Sequence, residues 1–257
     1  MKGVTLDSIS MRGAGVVTIA QPAKGHRFTL DSVLLADFCR IKTRDRILEP
    51  GAGTGVISNL LAQKFPSVKV TALELQSNDA GLCRRNTQAN ELQKRISVIE
   101  GDIRSLKGKF APGSFDVIVA NPPYTKSRSG RLSPDPSRRI ARHDESGDLQ
   151  PWLDLQVFLK NKGRLFFIFA ASGAAELLSS MRDRNLEPKR LRFVHSYASK
   201  PASIVLVEAV KSAGVGLEVL APLVVHEPGG GYSEKMRQIY GFSGNRTNDD
   251  EQNCPAS

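Results

Sequence analysis

Cysteine is scarce in this chain. Three residues, Cys39, Cys83 and Cys254, occur among 257, widely spaced and odd in number. That leaves no disulfide framework and no zinc spacing, and it fits a reducing, cytoplasmic setting. Long apolar runs are absent as well. No window approaches the roughly 18 consecutive apolar residues of a membrane span. The first residues, Met1-Lys2-Gly3-Val4-Thr5-Leu6-Asp7, lack the apolar core of a secretory leader. Only His26, His143, His195 and His226 represent histidine, and no Ser-His-Asp or metal-ligand grouping appears. Acid is in deficit: 26 Asp and Glu stand against 36 Lys and Arg, for a net charge of +10 and a pI near 9.7. Such a balance favours a polyanionic partner, most simply nucleic acid, or an anionic membrane surface.

What is present reads as one α/β unit. The apolar fraction of 40% suffices for a real core. Gly13-Ala14-Gly15 followed by Val16-Val17-Thr18-Ile19 predicts a small hairpin within residues 1–23. A short helix follows through Val33, Leu34, Leu35, Ala36 and Phe38, with Asp31 or Ser32 as its N-cap. Strands are expected at Arg46–Glu49, Val68–Glu74, Ile96–Glu100, Phe115–Ala120, Gly163–Ala170, Arg190–His195 and Ser203–Ala209, with a further edge strand within Leu217–Val225. Helices are expected at Val56–Phe65, Ser77–Asn90 (capped by Ser77 or Asn78), Leu149–Leu159 and Ala174–Met181, and Pro188 ends the region after the last. Residues 125–147, rich in Arg, Ser, Pro and Gly, read as a long loop. The organisation expected is a single domain over 1–242, with an extension at 1–44, and a disordered tail at 243–257.

Two turns carry the chemistry. Pro50-Gly51-Ala52-Gly53-Thr54-Gly55 joins the first main strand to a helix. Its G-x-G-x-G spacing differs from the dinucleotide fingerprint, which brings backbone against a pyrophosphate. The tighter turn suits a ligand without phosphates, whose carboxylate and amine lie against it. Glu74 follows Gly53 by 21 residues, at a strand end where an acid can accept both hydroxyls of a ribose. Asp102, at the next strand end, reads either as the partner of an adenine amino group or as the cap of the following turn. Glu49 reads either as part of this site or as a solvated strand end. The series resembles the S-adenosylmethionine-dependent methyltransferases with a Rossmann-like, seven-stranded mixed sheet and helices on both faces.

The second turn is Asn121-Pro122-Pro123-Tyr124, after the apolar run Phe115–Ala120. Neither proline can donate to a sheet ladder, so the strand must stop here. The element resembles the catalytic motif of amino-group methyltransferases. An exocyclic amine of adenine is a poor nucleophile because its lone pair is delocalised. Two acceptors aimed at its hydrogens, Asn121 Oδ1 and the Pro122 carbonyl, favour a pyramidal nitrogen and stabilise the developing charge. Tyr124 can stack on the flat substrate and fix its angle. A nucleic-acid adenine must first be turned out of its stack. Lys126, Arg128, Arg131, Arg138, Arg139 and Arg142 follow directly and suit phosphate contacts. A second basic stretch, Arg182, Arg184, Lys189, Arg190 and Arg192, reads as a solvated helix end and edge strand.

From about Gly25 to Gly241 the chain resembles the bacterial tRNA adenine-N(6)-methyltransferases that act on valine tRNA beside the anticodon. The resemblance is carried by His26 to Ala36, by Ser129 to Pro134, by Ile140-Ala141-Arg142-His143, by Pro188 to His195 and by Lys200-Pro201-Ala202. It implies S-adenosylmethionine as cofactor and tRNA as partner, with no membrane or metal. It implies a cofactor contact from the segment around Phe28 and Asp31, which joins Glu49, Gly51, Gly53, Thr54, Gly55, Glu74, Asp102 and Asn121 as candidate cofactor residues, and RNA contacts from the Arg131 to His143 loop. One departure is visible: Lys160-Asn161-Lys162-Gly163 stands where the family usually has Lys-Pro-Gly-Gly. Asn-Pro-Pro-Tyr also occurs in protein glutamine methyltransferases acting on release factors. Those carry a separate N-terminal helical domain, whereas only about 45 residues precede the first main strand here. DNA adenine methylation is disfavoured by the lack of a larger target-recognition segment, and a nicotinamide-dependent oxidoreductase by the glycine spacing. A non-catalytic RNA-binding domain is the non-enzyme alternative.

Overall fold

The computed structural model describes residues 4–23, 30–123 and 149–242. The expectations for Phe28, Tyr124, the loop 125–147 with Lys126, Arg128, Arg131, Arg138, Arg139, Arg142 and His143, and the tail 243–257 lie outside the described residues.

The main sheet takes its strands from β3 (Arg46–Pro50), β4 (Lys69–Glu74), β5 (Ile96–Glu100), β6 (Phe115–Ala120), β7 (Leu159–Ala170), β8 (Leu186–His195) and β9 (Ala202–Lys211). Their spatial order is β8-β9-β7-β6-β3-β4-β5, and only β9 runs antiparallel to its neighbours. The seven-stranded mixed sheet expected from the sequence is therefore present. Two strands of two residues each, β10 (Glu218–Val219) and β11 (Leu223–Val224), extend it along β8. They replace the one edge strand expected over 217–225.

Central strands are apolar on both faces because both faces are covered. The pleat divides them cleanly. Val117, Val119, Phe166 and Ile168 enter one core with α1 (Leu30–Phe38), α2 (Val56–Lys64) and Cys83 of α3 (Ser77–Ala89). Ile118, Ala120, Leu165 and Phe167 enter the other, with α4 (Gln150–Asp154) and α5 (Ala174–Asp183). The hairpin of β1 (Val4–Met11) and β2 (Gly15–Pro22) forms a separate two-stranded sheet. It adds Ile9, Val17 and Ile19 to the first core. Its free edge is satisfied by two asparagines one turn apart, Asn86 on α3 and Asn90 at its C-cap. Asn90 accepts the Thr18 N–H at 2.9 Å and donates to the Thr18 carbonyl at 2.8 Å. Asn86 treats Ala20 the same way, at 2.7 and 2.9 Å.

Several local expectations are corrected. Asp31 and Ser32 lie inside the first turn of α1 rather than capping it. The cap of α3 is Gln76, with no side-chain bond, not Ser77 or Asn78. The helix expected to Leu159 is short: α4 gives way at Leu155 to a 3-10 turn. Pro188 lies within β8, at a register shift, so the strand begins earlier than expected. Arg190 is not solvated; it is buried, ion-paired with Glu208 at 2.5 Å, its guanidinium 4.6 Å from the Phe38 ring centroid. Arg182 and Arg184 pair with Glu187 and Asp154. A helix not anticipated, α6 (Glu234–Tyr240), is capped by Ser233 and closed by Gly241 in the left-handed region. No helix among the described residues is long and apolar enough to cross a membrane.

Candidate active site

Parallel strands bring their carboxyl ends to one edge, where the sequence-predicted residues converge. Along the order β6-β3-β4-β5 that edge carries Asn121-Pro122, then Glu49 and the glycine turn, then Glu74, then Asp102. β6 and β3 are hydrogen-bonded neighbours, paired at Ile47 with Val117 and at Leu48 with Ile118, with strand axes about 4.8 Å apart.

The glycine turn is held from β4. Ala52 N–H donates to the Leu73 carbonyl at 2.9 Å, and Gly53 N–H donates to Glu74 Oε2 at 2.8 Å. Glu74 Oε1 accepts the Gln76 N–H at 2.8 Å. Each carboxylate oxygen retains a lone pair, so the acid can hold the turn and still accept two ligand hydroxyls. Gly51, Gly53 and Gly55 all take positive φ, at 63°, 54° and 82°. Their surroundings differ. A Cβ at Gly51 would strike the Trp152 indole, and one at Gly55 would overlap the Cys83 sulfur, whereas nothing lies within 4 Å of a Cβ at Gly53. The open side of the turn is thus at Gly53, where the backbone can meet a ligand.

Glu49 is not a solvated strand end. It is buried beside Ser58, whose hydroxyl donates to its carboxylate. Burial pushes its carboxyl up to about 8, against the opposing Ser58 hydrogen bonds, with Glu74 adding to the rise. A buried acid held protonated beside an open turn is suited to a cationic ligand, which would favour its ionised form. Thr54 is buried, and its carbonyl accepts from Asn86 Nδ2 at 2.8 Å, linking the turn to the hairpin.

Asp102 does cap the following turn, accepting the Arg104 N–H at 2.8 Å. It also forms a fork with the Arg104 side chain, at 2.6–3.1 Å. The hydrogen bonds from Arg104 hold its carboxyl down at about 2. It is an anion at the right edge, already partnered. Asn121 is half-buried, Pro122 buried and Pro123 exposed, and the Asn121 amide makes no hydrogen bond among the described residues. Asp31 sits in the first turn of α1, half-buried.

Three residues escaped the sequence reading. Leu75 follows Glu74 directly and is 59% exposed, an apolar side chain left open at the carboxyl edge. Trp152, the only tryptophan, backs Gly51. Asn86 joins the turn to the hairpin. Only Leu75 had a local signal, its position after a strand-end acid; the other two act across gaps in sequence that leave no pattern.

Comparison with known proteins places the chain among methyltransferases. The methyltransferase small domain family matches residues 24–133. A curated tRNA1(Val) (adenine(37)-N6)-methyltransferase of Aeromonas hydrophila is 30% identical over 213 residues, covering 81% of this chain and 86% of that protein. One of the same name from Bacteroides thetaiotaomicron is 28% identical over 214 residues, covering 82% and 88%. Among solved structures, a predicted O-methyltransferase of Agrobacterium tumefaciens superposes with a TM-score of 0.67 at 21% identity, covering 85% of this chain and all of that one. TYW2 of Pyrococcus horikoshii, solved with MeSAdo, gives 0.53 at 15% identity, covering 83% and 73%. These two likenesses concern the fold.

Proposed function

The chain belongs to the family of tRNA1(Val) (adenine(37)-N6)-methyltransferases, and on that footing we propose that it methylates the exocyclic amine of an adenine in tRNA with S-adenosylmethionine. The observation that carries the reading is adjacency. Asn121 and Pro122, two acceptors suited to an amine, end the strand beside the glycine turn.

The donor set fits the cofactor. Glu74 has lone pairs for the ribose hydroxyls, Leu75 offers an apolar surface to the adenine ring, and Gly53 leaves room for the amino-acid end. Glu49 lies deeper, where its charge would answer the ligand's ammonium. Asp102 can accept from the cofactor's adenine amine through a free lone pair while keeping Arg104. When bound there, S-adenosylmethionine would supply an electrophilic methyl group, the S–C electron pair staying on sulfur and the amine's surplus proton passing to water. The protein's part is placement and charge. Asn121 Oδ1 and the Pro122 carbonyl accept the two amine N–H groups, Tyr124 stacks on the base, and Lys126, Arg128, Arg131, Arg138, Arg139, Arg142 and His143 meet phosphates. No step needs a general base with a displaced pKa, since the product ammonium is strongly acidic.

Nucleoside mass spectrometry of bulk tRNA from cells with and without the gene tests this directly. Loss of one N(6)-methyladenosine species is expected in the deletion. An unchanged tRNA profile, with labelled methyl passing to release factor instead, would move the reading to glutamine methylation.

A further inference from the structure

Five aromatic rings pile up beside the carboxyl end of β8. Tyr197 packs on His226 with centroids 5.3 Å apart, and His226 stacks on Tyr232 at 5.5 Å and 11°. Tyr232 meets Tyr240 at 5.3 Å, and Tyr240 stacks on Phe242 at 5.8 Å. The pile has a local cause. His226 and Tyr232 face each other across an antiparallel bridge closed by Pro228-Gly229-Gly230-Gly231, so their rings must adjoin. Tyr197 rides on the β8–β9 turn, which is firmly tied. Lys200 N–H donates to the Tyr197 carbonyl at 3.0 Å, His226 N–H donates to the Ser196 carbonyl at 2.9 Å, and His195 Nδ1 lies 2.8 Å from the Lys200 carbonyl.

The inner end of this pile is core; the outer end is not. Tyr240 is 2% exposed, whereas Tyr197 is 37% exposed. Because β8 is parallel to β7 and β6, Tyr197 stands on the same sheet edge as Asn121. Three strand spacings separate β8 from β6, about 14 Å. That is about four stacked nucleotide steps of 3.4 Å, or fewer where a strand is splayed. Lys200, exposed on the same turn, makes no ion pair among the described residues; Glu227, next to His226, is the neighbouring acid.

We propose that Tyr197 is the outer face of a stacking platform for an unpaired base of the RNA substrate, close in sequence to the adenine that meets Asn121. The inference rests on the tRNA reading above. Its physical reason is the cost of extrusion. Turning an adenine into the site strips stacking from its neighbours. A fixed aromatic face within reach restores it to whichever base arrives, because every base has a π-face. The hydrogen-bonded turn holds the ring in place beforehand, and Lys200 supplies a cation for the adjoining phosphate.

The test uses the full-length protein, labelled S-adenosylmethionine and tRNA from cells lacking the gene. Tyr197→Ala should raise KM for tRNA about tenfold, with kcat and S-adenosylmethionine affinity within about twofold of wild type. Tyr197→Phe, which keeps the face, should behave as wild type. An unchanged KM in Tyr197→Ala, beside an active wild type, overturns the platform. So does a joint fall in melting temperature and cofactor affinity, which would make the ring a structural member of the pile. Wild type inactive on every tRNA would sink the tRNA reading instead. Anisotropy titration of a labelled anticodon stem-loop against wild type and Tyr197→Ala would then decide the platform alone: equal affinities overturn it, and weaker binding by the variant supports it.

Discussion

The indole of Trp152 fills the space that a Cβ on Gly51 would need, its Cη2 standing 2.6 Å from that position. Two residues on, at Gly53, the corresponding space is open. The glycine turn therefore has a packed side and an open side, the latter being the proposed ligand side, and substitutions should separate them. Gly51→Ala meets a positive φ and a rigid ring, and should cost about 3 kcal/mol of stability. Gly53→Ala meets only the positive φ, about 1–2 kcal/mol, but puts a methyl where the cofactor would approach in the proposed binding mode. Its S-adenosylmethionine affinity should fall at least about tenfold. Denaturant unfolding followed by the fluorescence of Trp152, with calorimetry for binding, measures both. Equal stability losses with equal affinities would contradict the two-sided turn.

Glu49 makes the fold sensitive to pH. Its carboxyl rises from an ordinary 4.5 to about 8, first because it is buried. The folded protein therefore holds a proton there that the unfolded chain has released across that interval. The stability this proton contributes is complete below about 4.5 and is lost as pH climbs to about 8. Glu49→Gln keeps an acceptor for Ser58 and has no such proton. Unfolding curves of the two proteins should diverge with rising pH, the wild type losing stability relative to the variant, and run parallel above about pH 8. If the methyl donor binds as proposed, with its ammonium near this acid, binding should release a proton near neutrality. Calorimetry in buffers of different ionisation enthalpy would detect it, and the release should vanish in Glu49→Gln.

How far the sequence reaches is clearest where it stops. Short apolar strand runs, the glycine turn and the strand-end acids are legible because each is a local pattern whose partner is dictated by parallel pairing. Asn86 and Asn90 were not, since they serve backbone groups 66 and 72 residues away. Asp102 was undecidable from sequence between ligand partner and turn cap; Arg104, two residues on, makes it a cap while leaving lone pairs free. The departure Lys160-Asn161-Lys162-Gly163 gains meaning only in the structure. Phe115 pairs with Leu159 and Val117 with Arg164, so these residues bulge out of β7. Lys162 sits there with φ 61°, at the position where the resembled family usually has glycine.

That strain is removable. Lys162 is exposed, and its ammonium donates to the Ser212 carbonyl at 2.6 Å. An exposed bond of this kind contributes little, whereas a left-handed non-glycine residue costs about 1–2 kcal/mol. Lys162→Gly should therefore stabilise the protein by roughly 1 kcal/mol, after the greater flexibility of glycine in the unfolded chain is allowed for. The bulge lies at the amino-terminal end of β7, opposite the candidate site, so methyl transfer should be unaltered. A lower denaturation midpoint in the variant would show that the Lys162 bond outweighs the backbone strain.

Asn121 should separate chemistry from folding more sharply than any other residue. Its amide makes no hydrogen bond among the described residues, so shortening it leaves none of their buried groups unpartnered. Asn121→Ala should melt within a degree or two of wild type and bind S-adenosylmethionine within a few-fold. Its kcat should fall by about 10²–10³, the usual loss when one preorganised partner of a developing charge is removed. Asn121→Asp keeps an acceptor at the same reach and adds negative charge beside a nitrogen becoming positive, so it should retain more activity than the alanine variant. Single-turnover methyl transfer to tRNA resolves the chemical step from product release. If Asn121→Ala turned over at the wild-type rate in that assay, the amine's acceptors would have to be sought elsewhere on the sheet edge, and the adjacency of β6 to the glycine turn would lose its mechanistic meaning.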